Sequence, residues 1–195
     1  SMIGFAGMII AIFIVKLGLP AWIAIILTFI MCISIGALNG FIVIRTGLPS
    51  FIVTLAFLFI LRGLTIFLPQ VMVRKTIIGG VKDVSEGDWL VALFDGKILT
   101  GFFSWLADVG LIDTFERGTR AGQPVVSGVP MLIIWAIVLM LFGHFLLTRT
   151  QFGNWIFASG GDKLGARNVG VPVGRVKISL FIGTAVAATI YACVQ

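Results

Sequence analysis

Side chains equipped for catalysis are scarce in this chain of 195 residues. The one histidine, His144, stands in an apolar run with no carboxylate beside it. A hydrolytic or acid–base centre needs a nucleophile matched to a base, or a set of metal ligands, and neither arrangement occurs. Cys32 and Cys193 lie in apolar runs without metal-ligand spacing and read as small buried hydrophobes. No G-x-x-x-x-G-K-[ST] phosphate loop is present, and GGDKLG at Gly160–Gly165 has neither that spacing nor a preceding strand. The expectation is a non-enzyme with no catalytic residues, no metal and no cofactor of its own.

The polar residues inside apolar runs are the next candidates. Arg62 is the sharpest, on the order of 16 Å along a helix from Phe51, with no acid in any apolar run to pair with it. Such a residue lines a polar path, pairs with backbone carbonyls, or snorkels outward. Asn39 lies between Gly36 and Gly40, a G-x-x-x-G pattern that lets two helices approach with an amide as glue. Asn39 and Thr54, with Arg62, are the candidates for a translocation path, although packing is the preferred role for Asn39. His144 near the end of its run, Ser34, and the tryptophans Trp22, Trp89, Trp105 and Trp135 read more simply as interhelical donors and interfacial anchors.

These residues sit in a chain that is 59% hydrophobic and 11% charged, against roughly 25% charged in soluble domains. Mean hydropathy is +1.14. A soluble enzyme or nucleic-acid-binding domain cannot cover its surface with so little charge, so the net charge of +6 is not a nucleic-acid signature. Five apolar runs stand out, at Met2–Val15, Ala21–Ile44, Phe51–Leu68, Val129–Leu147 and from Ile178 onward. The pattern predicts an all-α polytopic membrane protein with about five spans, the first least certain, forming one transmembrane domain over residues 1–195. No removable signal peptide is expected.

Residues 69–128 hold seven of the eight acids, nearly balanced by bases, with short apolar stretches that suit amphipathic segments at the membrane surface. By contrast, the connection at about 148–177 carries Arg149, Lys163, Arg167, Arg175 and Lys177 against Asp162 alone. The turn after the second run carries Arg45 and no acid. The positive-inside rule puts both basic connections in the cytoplasm and residues 69–128 outside.

Within the basic connection, GNWIFASGGDKLGARNVGVPVGRVK runs from Gly153 to Lys177. Gly160-Gly161 predicts a sharp turn, Asp162 an N-cap, and Lys163 to about Asn168 a short helix. Gly170 is placed to end it in a left-handed conformation, and Pro172 prevents continuation. A short capped helix of this kind suits docking in a partner's groove.

This segment resembles the cytoplasmic loop of sugar-type ABC importer permeases, the family of the ribose, xylose and arabinose permeases. The match falls on Gly153, Ala158, Gly160, Gly161, Ala166, Arg167, Gly170 and Val171, with Asp162 and Gly165 departing from the usual Asn and Ala. A second block, GALNGFIVIRTGLPSFIVTLAFLFILRGLT from Gly36 to Thr65, matches at Asn39, Gly40, Pro49, Phe51 to Leu55, Arg62 and Gly63. The resemblance covers nearly the whole chain, which begins inside one apolar run and stops inside another, as a portion of a longer permease would.

The resemblance implies a subunit of the bacterial inner membrane that pairs with a second permease copy or homologue. It further implies an ABC ATP-binding subunit, which binds the ATP, and a periplasmic solute-binding protein. Gly160, Gly161, Asp162, Lys163, Ala166, Arg167 and Gly170 would then couple to the ATPase, and the external segment would meet the binding protein. A self-sufficient secondary transporter or channel is the alternative, but it should show inverted repeats or mid-depth carboxylates, and neither is visible.

Overall fold

A segment surrounded by hydrocarbon must close its own hydrogen-bond ladder, and every long apolar run of this chain is a helix. The computed structural model describes residues 1–72, 97–98 and 129–194. Helix α1 is Met2–Val15, α2 is Ala21–Thr46 and α3 is Ser50–Met72. A two-residue antiparallel pair, β1 (Lys97–Ile98) and β2 (Val129–Pro130), precedes α4, Met131–Arg149. Helices α5 (Gln151–Gly161), α6 (Lys163–Asn168) and α7 (Val173–Val194) follow.

Four of these, α2, α3, α4 and α7, are long and apolar enough to cross a bilayer. Helix α1 has 14 residues, about 21 Å of rise, and falls short of the ~30 Å hydrocarbon core. The expected five spans are thus four of full length and one shorter apolar helix. Helix α3 continues through Pro69 to Met72, so the external segment starts a turn later than expected. Its remainder, with the amphipathic segments, Trp89 and Trp105, lies outside the described residues apart from 97–98.

Hydroxyls within the helices bond back to their own backbone. Thr28 donates to the Ala24 carbonyl at 2.7 Å, Thr65 to Leu61 at 2.7 Å and Thr189 to Ala185 at 2.8 Å. This lets Thr enter an apolar environment without a stranded donor. Outward-facing positions are large and apolar: Phe59 is 68% and Met140 70% exposed. Helix α4 has no buried residue at all. In a span, such surface meets lipid.

The inward side of α2 is a seam of small residues. Ala21, Ala24, Thr28, Cys32, Gly36, Gly40 and Val43 are its buried positions, spaced three or four apart along one face. At its start the seam packs on Ile14, Ile10 and Phe13 of α1. Further along, it packs on α7, the most extensive helix pairing among the described residues. A Cβ on Gly36 would lie 2.9 Å from both the Phe181 carbonyl oxygen and the Ala185 Cβ. One on Gly40 would lie 3.0 Å from the Ile178 Cα. The two backbones meet because these positions carry no side chain. Helix α3 joins through α1, where Phe5 and Ile9 close over Leu61.

The crossing brings the basic connections to one end. A Cβ on Gly174, at the start of α7, would sit 3.8 Å from Ile44, one residue before Arg45. Arg45, Arg149, Lys163, Arg167, Arg175 and Lys177 therefore gather at the end of the bundle away from the Lys16 turn.

The seam makes a graded prediction. Gly36→Ala in the full-length protein should cost roughly 1–3 kcal/mol by overpacking, measured by denaturant titration in detergent. Gly63→Ala, whose added Cβ meets nothing within 4 Å, should be neutral or slightly stabilising. Equal effects of the two would contradict the close crossing.

Candidate functional site

Two features hold the candidate residues, and one helix connects them. The first is the basic hook after α4. The chain breaks at Thr150, whose hydroxyl donates to the Leu146 carbonyl and accepts from the Gly153 amide at 3.2 Å. Gly153 is buried, and a Cβ there would lie 2.6 Å from the Leu147 carbonyl carbon. Only glycine fits beneath this break, which turns α5 away from α4.

Gly160 and Gly161 do not form the expected turn. They are the last two residues of α5, and neither has a positive φ. The direction changes one residue later, at Asp162, whose backbone is extended at φ −128° and ψ 104°. Its carboxylate accepts from the Leu164 amide at 2.9 Å, the expected N-cap of α6. The same carboxylate fills the space beside Gly165: a Cβ there would lie 3.0 Å from the Asp162 Cγ and closer still to Oδ2.

Helix α6 ends as its residues dictate. Gly170 has φ 85°, which costs glycine little and other residues more. Its amide donates to the Arg167 carbonyl at 3.0 Å and the Val171 amide donates to the Ala166 carbonyl at 3.0 Å. This double closure is a Schellman motif. Ala166 is buried, while Lys163 and Arg167, four residues apart, are exposed on the outer side. Leu164 at 71% and Val169 at 78% exposure stand beside them. Sequence reasoning missed these two, although apolar residues amid charges and glycines were the available signal.

The second feature is a cavity of about 300 Å³ among α2, α3, α7 and the start of α1 at Ser1 and Met2, at the small end of ligand-site volumes. Asn39, Thr54, Phe57, Phe181 and Thr184 line it. Two of the three path candidates, Asn39 and Thr54, therefore line one cavity. The third does not join them: Arg62 lies on the exposed side of α3, next to buried Leu61. His144 and Ser34 are likewise exposed, and neither borders the cavity.

The expected amide glue is not made by the Asn39 oxygen. Oδ1 is sealed from water without a hydrogen-bond partner, which is so for no other buried side-chain oxygen or nitrogen among the described residues. The close crossing rests on the glycines instead. A second cavity of about 270 Å³ shares Phe181 and Thr184 with the first and reaches Val43, Ser50 and Lys177 toward the basic end. Thr184, Phe57 and Phe181 carried no signal in the sequence, because one more Thr or Phe in an apolar run is unremarked until helices are paired.

Helix α7 links both features. Val173 and Val176, just after the hook, are buried at 2% and 1% exposure. Phe181 and Thr184, about 12 Å farther along the same helix, form part of the cavity wall.

The cap yields a local prediction. Asp162→Ala should cost about 1 kcal/mol and speed exchange of the Leu164 amide roughly fivefold, read by hydrogen–deuterium exchange. Asp162→Asn should leave it near the parent value. No change with alanine would show that the cap does not hold α6.

Comparison with known proteins places this architecture. Residues 1–195 match the family described as branched-chain amino acid transport system / permease component. The xylose transport system permease protein XylH of Escherichia coli K12 is 30% identical over 206 residues, covering 93% of this chain and 52% of that protein. The inner membrane ABC transporter permease protein YjfF of the same organism is 26% identical over 192 residues, covering 97% of this chain and 47% of its own. The ribose import permease protein RbsC of Haemophilus influenzae is 24% identical over 167 residues, or 86% of this chain and 42% of that protein. The chain spans about half the length of the curated relatives it matches. No solved structure matches it significantly. Matched by the family from end to end, the chain belongs to the permease components of ABC import systems, as a multi-pass inner-membrane protein.

Proposed function

We propose that this chain is part of the membrane subunit of an ATP-driven importer for a sugar or similar small polar solute. It forms the translocation path and takes its driving force from a separate ATP-binding subunit. A second permease copy or homologue completes the path, and a periplasmic binding protein delivers the solute at the end opposite the hook. The observation that carries this reading is the continuity of α7. Its first turn follows the capped hook, and its middle is a wall of the polar cavity.

The gathering of six bases at the hook end supports a cytoplasmic position by the positive-inside rule. There lipid does not cover Leu164 and Val169. The surface they form with Lys163 and Arg167 fits an apolar groove rimmed by carboxylates on the ATPase. ATP-driven closure of that partner pushes on α6, and the buried start of α7 passes the push on toward the cavity. Rocking of packed helices then exposes the cavity to one face or the other.

The test is co-purification of the ATP-binding subunit with full-length permease variants. Leu164→Asp and Arg167→Glu should each remove most of the bound ATPase while membrane insertion stays at the parent level. Gly161→Pro, which removes a hydrogen bond at the end of α5, should weaken it too. Undiminished ATPase with all three would overturn the docking role.

A further inference from the structure

A lysine borders the second cavity, the one of about 270 Å³. Lys177 is half-buried there, beside Ser50 of α3 and apolar surface from Val43, Leu180 and Phe181. No carboxylate lines this cavity among the described residues. Asp162 is the one acid among those residues, and its carboxylate caps α6. A cation set against apolar walls without an anion is costly. The cavity calls for a negative group.

Its depth matches the boundary of a leaflet. Ser50 is the first residue of α3 and Lys177 the fifth of α7, both at the basic end of the bundle. Thr184 lies about 10 Å deeper along α7, where its hydroxyl is committed to the Phe181 carbonyl at 2.9 Å. The cationic and hydroxyl-bearing residues thus stand where lipid headgroups begin, and the apolar walls run from there toward the bilayer centre. The cavity also has a side open to lipid. Leu180 in its wall is exposed, as is Phe51 next to Ser50, and α3 makes no extensive contact with α7.

A further apolar helix laid over this opening would fill the space and leave the lysine without a counter-charge. A phospholipid supplies both needs, a phosphate for the ammonium and an acyl chain for the walls. Basic cavities between spans at the membrane surface hold anionic headgroups by this combination.

We propose that the cavity bordered by Lys177 and Ser50 is a binding site for an anionic phospholipid from the leaflet at the hook end, its phosphate on Lys177 and an acyl chain along Val43, Leu180 and Phe181. The site goes beyond the importer reading and does not depend on it. Phe181 also borders the first cavity, so the lipid lies against a side chain that both cavities share.

The test is native mass spectrometry of the full-length permease in detergent, titrated with dioleoyl phosphatidylglycerol, dioleoyl phosphatidylcholine or inorganic phosphate. The parent should retain phosphatidylglycerol roughly fivefold or more tightly than phosphatidylcholine, and free phosphate should not displace it. Lys177→Gln should weaken that retention about fivefold, while Lys177→Arg keeps it. Ser50→Glu, which sets a like charge against the phosphate, should weaken it too and carries the test should Lys177→Gln not fold. Arg149→Gln removes a base from the same end but outside this cavity, and should stay near the parent value. A phosphatidylglycerol with a photoactivatable acyl chain should label the peptide that holds Leu180 and Phe181. No preference between the two lipids, equal losses in Arg149→Gln and Lys177→Gln, displacement by phosphate, or labelling confined to other helices would each overturn the site. None of these measurements needs the ATP-binding subunit, so their failure leaves the importer reading standing. Failure of the parent to hold an ATPase would strike that reading and leave the lipid site intact.

Discussion

The contact between α2 and α7 at Gly36 and Gly40 is the constraint on which the rest depends. Lipid is as apolar as any side chain, so apolar burial alone does not hold helices together in a membrane. Close van der Waals contact over a long crossing does, and it requires positions without side chains on at least one partner. Here α2 supplies them, and the Phe181 carbonyl and Ala185 rest directly on its backbone. The crossing sets the distance between Asn39 on one helix and Thr184 on the other, and so the width of the cavity. It also brings the Arg45 turn beside the start of α7, which collects the basic residues at one end.

From that crossing follows a division of labour along α7. One end is tied to the hook by Pro172 and anchored through Val173 and Val176. The middle is clamped to α2, and the same turn carries Phe181 and Thr184 into two adjoining cavities. The helix is held at both ends of this stretch, by buried Val173 and Val176 next to the hook and by Ala185 against Gly36. In the proposed coupling, motion at the hook reaches the cavity as displacement of the α2–α7 pair against α3, which touches that pair chiefly through α1.

What the sequence revealed was local chemistry. The cap at Asp162, the helix to Asn168 and the left-handed Gly170 involve residues within a few positions of one another, and all three are legible without tertiary information. The four full-length spans are legible for the same reason. Gly160-Gly161 misled because glycine's weak helix preference yields to its surroundings: α5 runs on to the point where Asp162 leaves it to cap α6. Arg62 was the loudest polar signal and lines neither cavity, whereas Asn39 and Thr54 line one together. Their partners Thr184, Phe57 and Phe181 are ordinary in composition. Only the pairing of α2 with α7, which an apolar pattern does not encode, makes them a site.

The central claim is that α2 and α7 move as one body when the ATP-binding partner closes. Spin labels on exposed positions of the full-length transporter test it, with one pair at Leu38 and Leu180 across the crossing and another at Phe59 and Leu180 across the cavity. The account predicts a Leu38–Leu180 distance distribution that is the same in nucleotide-free and ATP-trapped states, while Phe59–Leu180 shifts. A change between Leu38 and Leu180 on trapping, or immobility of both pairs, would contradict it.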